Sequence, residues 1–127
     1  VTIFIDSEVT RIFKRISLDV TYALNTDGLD IQSENATIYN NVITNYDDAI
    51  VAKPCNAAMT ICHCSSNMMI YNNTVTYSTG LTIGSVSPSV NTECIRNITF
   101  RDSTVHQPLK AIYVKSNPGT EGDAIIE

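Results

Sequence analysis

Apolar residues along the chain come in short bursts and never in a helical stripe. The segments VTIFI (1–5), ISLDV (16–20), LDIQ (29–32), ATIYNNVI (36–43), AIVA (49–52), MMIYNNTVT (68–76), LTIGSV (81–86), IRNITF (95–100) and AIYVK (111–115) are rich in branched residues or alternate apolar with polar. Both features predict strands. No stretch of 11 or more residues carries apolar side chains at i, i+3, i+4 and i+7, so the pattern predicts an all-β chain.

The bursts also repeat. NTDGLDI (25–31) matches NYDDAIV (45–51) at a spacing of 20, and IYNNVITNYD (38–47) matches IYNNTVTYST (70–79) at a spacing of 32. STGLTI (78–83) is echoed by LKAIYV (109–114) about 30 residues later. Units of this length, each with two or three short strands and no helix, predict a parallel β-helix whose turns stack on one another. An irregular β-sandwich with chance self-similarity is the competing architecture. In the solenoid, Leu29, Ile31, Val51, Leu81, Ile83, Ile112 and Val114 are expected to point inward as aliphatic stacks over at least four coils. Asn40, Asn72 and Asp102 occupy matching places, as a polar ladder at a turn would. VTIFID opens and DAIIE closes in mid-strand, so residues 1–127 are read as part of a single β-helix domain in a longer chain.

Charge narrows the partners. The formal net charge is −5 and the eight basic residues are scattered, which argues against a nucleic-acid partner. No apolar run approaches the ~18 residues a membrane span needs, so no membrane partner is expected. No sequence pattern calls for a cofactor.

The repeat register brings acids together. Stacking the 20-residue match puts Asp27 over Asp47 and Gly28 over Asp48, on strands ~4.8 Å apart. Three like charges at that spacing disfavour one another, so one carboxyl is expected to hold a proton. An acid beside a carboxylate is the equipment of glycoside hydrolysis. The bland reading makes each Asp a turn carboxylate capping backbone amides. Three in register, each before an apolar run, favour the site.

NTDGLDI, NYDDAIV, STGLTIGSV and AIYVKSN, in this order, resemble the four motif blocks of glycoside hydrolase family 28, the polygalacturonases and rhamnogalacturonan hydrolases. The resemblance implies a right-handed parallel β-helix, a polysaccharide substrate of the pectin type and inverting hydrolysis. By matched position Asp47 resembles the general acid, and Asp27 and Asp48 resemble the pair that activates water, across the ~6.5–9.5 Å that inversion leaves between carboxyls. The third block reads Ser78, Thr79, Gly80, with Thr79 where polygalacturonases carry His. The fourth reads Tyr113, Val114, Lys115, with Tyr113 where they carry Arg. Losing Arg removes a bidentate clamp on a sugar carboxylate, while alternation keeps Tyr113 and Lys115 on one outward face. Lys115, Tyr113, Thr79 and Gly80 are therefore the substrate-binding candidates. A β-helix without activity, serving as an extracellular structural or carbohydrate-binding module, is the alternative function.

The remaining candidates concern the compartment. His63 and His106 are read as surface residues, His106 in a turn. Cys55, Cys62, Cys64 and Cys94 read as disulfides of a secreted, extracellular protein rather than a metal site, because their spacing with His63 fits no zinc pattern. Cys64–Cys94 with Cys55–Cys62 is the favoured pairing, and Cys55–Cys64 with Cys62–Cys94 the second. Glycosylation sequons begin at Asn35, Asn72 and Asn97. Asn72 ranks lowest of the three, because a buried ladder Asn cannot carry a glycan.

Overall fold

The structure, a computed structural model, describes residues 8–10, 25–55, 64–86 and 94–118 of the 127-residue chain. The strands expected at 1–5 and 16–20, and His63 and Cys62, lie outside the described residues. Among those described, all regular structure is β: β1 (Glu8–Thr10), β2 (Leu29–Ile31), β3 (Thr37–Tyr39), β4 (Val42–Thr44), β5 (Asp48–Ala52), β6 (Ser65–Tyr71), β7 (Thr74–Thr76), β8 (Gly80–Val86), β9 (Ile95–Arg101), β10 (Thr104–His106) and β11 (Ile112–Ser116). They form three sheets, ordered β1-β4-β7-β10, β2-β5-β8-β11 and β3-β6-β9. Every strand pair within the sheets is parallel. Successive strands of the chain fall in different sheets, and matching strands of successive repeats pair. That is a parallel β-helix, with four rungs in the β2-β5-β8-β11 sheet.

The 32-residue repeat is exact in space. Thr37, Ile38 and Tyr39 pair with Met69, Ile70 and Tyr71, and Val42, Ile43 and Thr44 with Thr74, Val75 and Thr76. The interior is built from the apolar member of each column. Ile38 stacks on Ile70 and then Phe100, Ile43 on Val75 and then Val105. These residues join Ile31, Ala52, Met68 and Leu81 in one core. Each fully buried branched side chain contributes roughly 1.5–3 kcal/mol of transfer free energy.

One inward assignment and one pairing change. Leu29 pairs with Ile50, not Ala49, so the register across this step is 21 and the columns run Leu29–Ile50–Leu81–Ile112 and Ile31–Ala52–Ile83–Val114. Val51 stands instead in the outward column of Asp30, Thr82 and Tyr113, although it is fully buried. Ile112 and Val114 belong to inward columns yet remain 49% and 45% exposed, because no described strand stacks beyond β11.

The corners carry the polar ladders. Asn40, Asn72 and Asp102 all adopt left-handed φ, and the Asn72 amide donates to Asn40 Oδ1 at 2.6 Å. This ladder is exposed, contrary to the expectation of burial for Asn72. The buried rung is its neighbour: Asn73 and Asn41 are 1% exposed, and the Asn41 Nδ2 donates to Asn73 Oδ1 at 2.9 Å. A second exposed ladder links the sequon residues Asn35 and Asn97 through Asn67. Asn serves here because its short polar side chain tolerates the left-handed region. Cys64 and Cys94 are joined by a disulfide across one coil step, which excludes the Cys55–Cys64 pairing; among the described cysteines none is free. His106 is exposed as expected, but it closes strand β10 by pairing with Thr76, not a turn.

Candidate active site

The three carboxylates meet where the chain enters β5. A bulge makes the meeting place: Asp48 pairs with Gly80 and Ile50 with Leu81, leaving Ala49 as an extra residue. Gly28 lies against that bulge with its N–H on the Asp48 carbonyl at 2.8 Å, and any Cβ there would run into the Ala49 carbonyl oxygen. Beneath, the buried Asn45 Nδ2 donates to the carbonyls of Thr26, Asp47 and Asp48 at 2.8–2.9 Å. The amide thereby fixes both coils that carry the acids. One oxygen from each of Asp27, Asp47 and Asp48 lies within 4.8 Å of the other two. Measured between nearest oxygens, the cluster is tighter than the two-carboxyl spacing expected from an inverting site. Among the described residues it is also the group that could hold a cation, although Lys115 already supplies positive charge to Asp48.

The three acids have different surroundings. Asp48 is 1% exposed. Burial alone would raise its carboxyl, but donors outweigh it: Lys115 Nζ on Oδ2, and the Thr79 and Thr82 hydroxyls on Oδ1 at 2.6 and 2.9 Å. They hold Asp48 below the usual carboxylate range. Burial opposes the charge on Lys115 as well, and the Asp48 carboxylate overrides it and raises the ammonium. Asp27 goes the other way. Desolvation first, then the charges of Asp47, Asp30 and Asp48, push it from 3.8 to about 6. Asp47 accepts the Asp48 amide at 2.8 Å on one oxygen and the Asn25 amide at 3.2 Å on the other. For Asp47, then, the capping role and membership of the trio are both true.

The substrate-binding candidates divide. Lys115 and Tyr113 face outward as expected, with Lys115 committed to Asp48. The Tyr113 ring carries the Lys110 ammonium 3.4 Å from its centroid and Lys115 at 5.6 Å. Thr79 is a support for Asp48, through its hydroxyl. Gly80 is buried at φ +110, and a Cβ would strike the Lys110 carbonyl, so it serves coil packing. Sequence reasoning missed Thr82, Asn45, Asp30 and Lys53. Lys53 Nζ lies 3.9 Å from Asp27 and 3.8 Å from Asp30, in an open cleft lined also by Asn25 and Gly28. Asp30 could have been found, since alternation sets it outward two residues after Gly28. Thr82 and Lys53 gave no signal of their own.

The chain is thus a parallel β-helix with three carboxylates clustered at a bulge of one sheet, Lys53 beside Asp27 and Lys115 on Asp48. The model of Glycosyl hydrolases family 28 matches residues 5–125, and the chain belongs to that family. Over 103 residues it is 36% identical to proteins named probable exopolygalacturonase C from Neosartorya fischeri and Aspergillus fumigatus, covering 80% of this chain and 21% of each relative. The protein of the same name from Aspergillus niger is 33% identical over 104 residues, 80% of this chain and 22% of the relative. The chain thus spans about a fifth of the length of the curated relatives it matches. No solved structure matches it.

Proposed function

We infer that the complete protein is a secreted glycoside hydrolase acting on pectin-type polymers of acidic sugars. The observation that carries this reading is the split of environments within one carboxylate cluster: Asp48 is held as an anion while Asp27 is pushed to about 6. Membership of family 28 and the names of the fungal relatives support the same substrate class. In this reading Asp47 delivers the proton to the leaving glycosidic oxygen, and Asp27 and Asp48 together hold and deprotonate the attacking water. Of the two residues that hold the water, Asp27, whose carboxyl is raised to about 6, is the one that accepts its proton. Thr79, Thr82 and Lys115 keep Asp48 charged throughout. Attack from the face opposite the leaving group inverts the anomeric carbon. The Cys64–Cys94 disulfide supports an oxidising compartment.

The test compares the complete protein with its Asp47→Asn variant on homogalacturonan and rhamnogalacturonan. New reducing ends from the wild type alone, with the first-formed anomer inverted by NMR, are expected. Retention would overturn the inverting step but keep the hydrolase. If no polymer is cut faster than by the variant, while one still binds, the protein is a carbohydrate-binding module.

A further inference from the structure

On the segments that lead into Asp47 and Thr79 the chain exposes two aromatic rings to which the catalytic account gives no role. Tyr46 immediately precedes Asp47 and is 44% exposed; Tyr77, one coil on, lies two residues before Thr79 and is 48% exposed. Their rings run nearly parallel, 11° apart with centroids at 6.2 Å. The backbone under both is fixed. Tyr46 N–H donates to Thr26 Oγ1 at 3.1 Å, and Tyr77 N–H to the His106 carbonyl at 3.0 Å.

Tyr77 holds its place at a conformational cost. Its φ is +63, in the left-handed region that a bulky side chain rarely enters. The corner does not demand an aromatic ring there: one coil on, in the same register, Gln107 takes the same backbone at φ +48. Asn, used at the other left-handed corners, or Gly would fit with less strain. Something other than backbone geometry therefore keeps tyrosine at 77. Tyr113, the ring expected to stack on sugar, already has Lys110 over its face.

We propose that Tyr46 and Tyr77 form a sugar-stacking subsite that binds a pyranose ring of the polymer next to the one held at the carboxylates. This rests on the glycoside-hydrolase reading, and it names the residues that select a polymer over a single sugar. Tyrosine suits the role because a ring presents a large, rigid apolar surface to the C–H face of a pyranose while its hydroxyl stays in water. Tyr46 precedes Asp47 by one residue and Tyr77 precedes Thr79 by two, so both rings stand on the coil segments that lead into the site.

The experiment measures binding of galacturonate oligomers, from dimer to hexamer, to the complete protein in the Asp47→Asn background, together with KM and kcat of the active form. Tyr46→Ala and Tyr77→Gly are each expected to weaken binding of the longer oligomers roughly five- to tenfold, to raise KM equally and to leave kcat within about twofold. The sign of a second readout separates function from folding: Tyr77→Gly relieves a left-handed φ and should leave the melting temperature unchanged or higher. Tyr39→Ala, in the Tyr39–Tyr71 stack of a different sheet, should lower melting temperature and leave binding untouched. Unchanged oligomer binding in both mouth variants, or a lowered melting temperature in Tyr77→Gly with unchanged KM, overturns the subsite. An inactive wild type whose oligomer binding still falls in these variants keeps the subsite and removes only the hydrolase.

Discussion

The corner at Asn40, Asn72 and Asp102 and the mouth at Asp27, Asp47 and Asp48 are both places where successive coils stack polar side chains, and they solve that problem in opposite ways. At the corner the Asn72 amide donates to Asn40 Oδ1 and the buried Asn41 amide to Asn73 Oδ1, and the repeat of 32 between these two coils passes without a slip. At the mouth carboxylate meets carboxylate, the register slips by one residue at Ala49, and among the described residues the charge is balanced by Lys53 and Lys115. A solenoid under selection for stability alone would repeat the corner everywhere. The mouth gives up local stability to keep one carboxyl protonated beside one that is not, and such pairs of divergent carboxyls are what acid–base chemistry requires.

The largest effect that would sharpen this contrast is expected from Lys115→Met. It leaves the Asp48 carboxylate, 1% exposed, without its ammonium partner. Removing one member of such a pair costs roughly 3–5 kcal/mol. Equilibrium unfolding should show that loss, with hydrolysis abolished at every pH. A variant as stable as the wild type would mean that the ion pair contributes nothing to holding the mouth.

Asn73→Ala probes the corner in the same currency. It strips the acceptor from both the Asn41 amide N–H and its side-chain Nδ2, in full burial. With each unsatisfied buried group worth about 1–3 kcal/mol, stability should fall by roughly 2–4 kcal/mol. Turnover at a temperature where the variant is folded should be unchanged. A loss of kcat there would show that corner and mouth are not independent.

Thr79→Val is the smaller change and the more selective one. The hydroxyl that donates at 2.6 Å to Asp48 is lost at nearly constant volume. Stability should fall by about 1–2 kcal/mol. Because Asp48 is held low by Lys115 and by this donor, its carboxyl should rise, moving the acidic limb of the pH–rate profile upward. A profile identical to the wild type would return Thr79 to a bystander.

How much of this was legible depended on what each residue type can report. The coil architecture followed from exact self-similarity, because IYNN recurs with branched residues at fixed offsets and only stacked parallel strands turn that period into pairing. The carboxylate cluster followed from the match of NTDG with NYDD. The bulge did not, since that match aligns without a gap, and AIVA is apolar at all four positions, so alternation carries no record of which face is inward. Val51 was placed inward for that reason. The Asn-Asn pairs hid their roles in the same manner: either member could turn inward, and only the left-handed φ of Asn40 and Asn72 sorts them from the buried Asn41 and Asn73. Thr79 was judged by the imidazole it replaces, whereas its use depends on a partner 31 residues away.

The direct test of the mouth's exchange of stability for protonation is Asp27→Asn in the complete protein, with melting temperature and hydrolysis followed from pH 3.5 to 8. Asp27 titrates at about 6 when folded against 3.8 for an ordinary carboxyl, so the folded state holds the extra proton between those values. Stability therefore declines as pH rises through this window, and above it the ionised Asp27 costs on the order of 3 kcal/mol at most. Asparagine carries no such charge, and Lys53 keeps Asp30 as its partner. The account predicts a variant that melts with the wild type near pH 3.5, melts a few degrees higher at pH 7.5, and does not hydrolyse polymer at either. A variant less stable at every pH, or one that retains turnover, would contradict it.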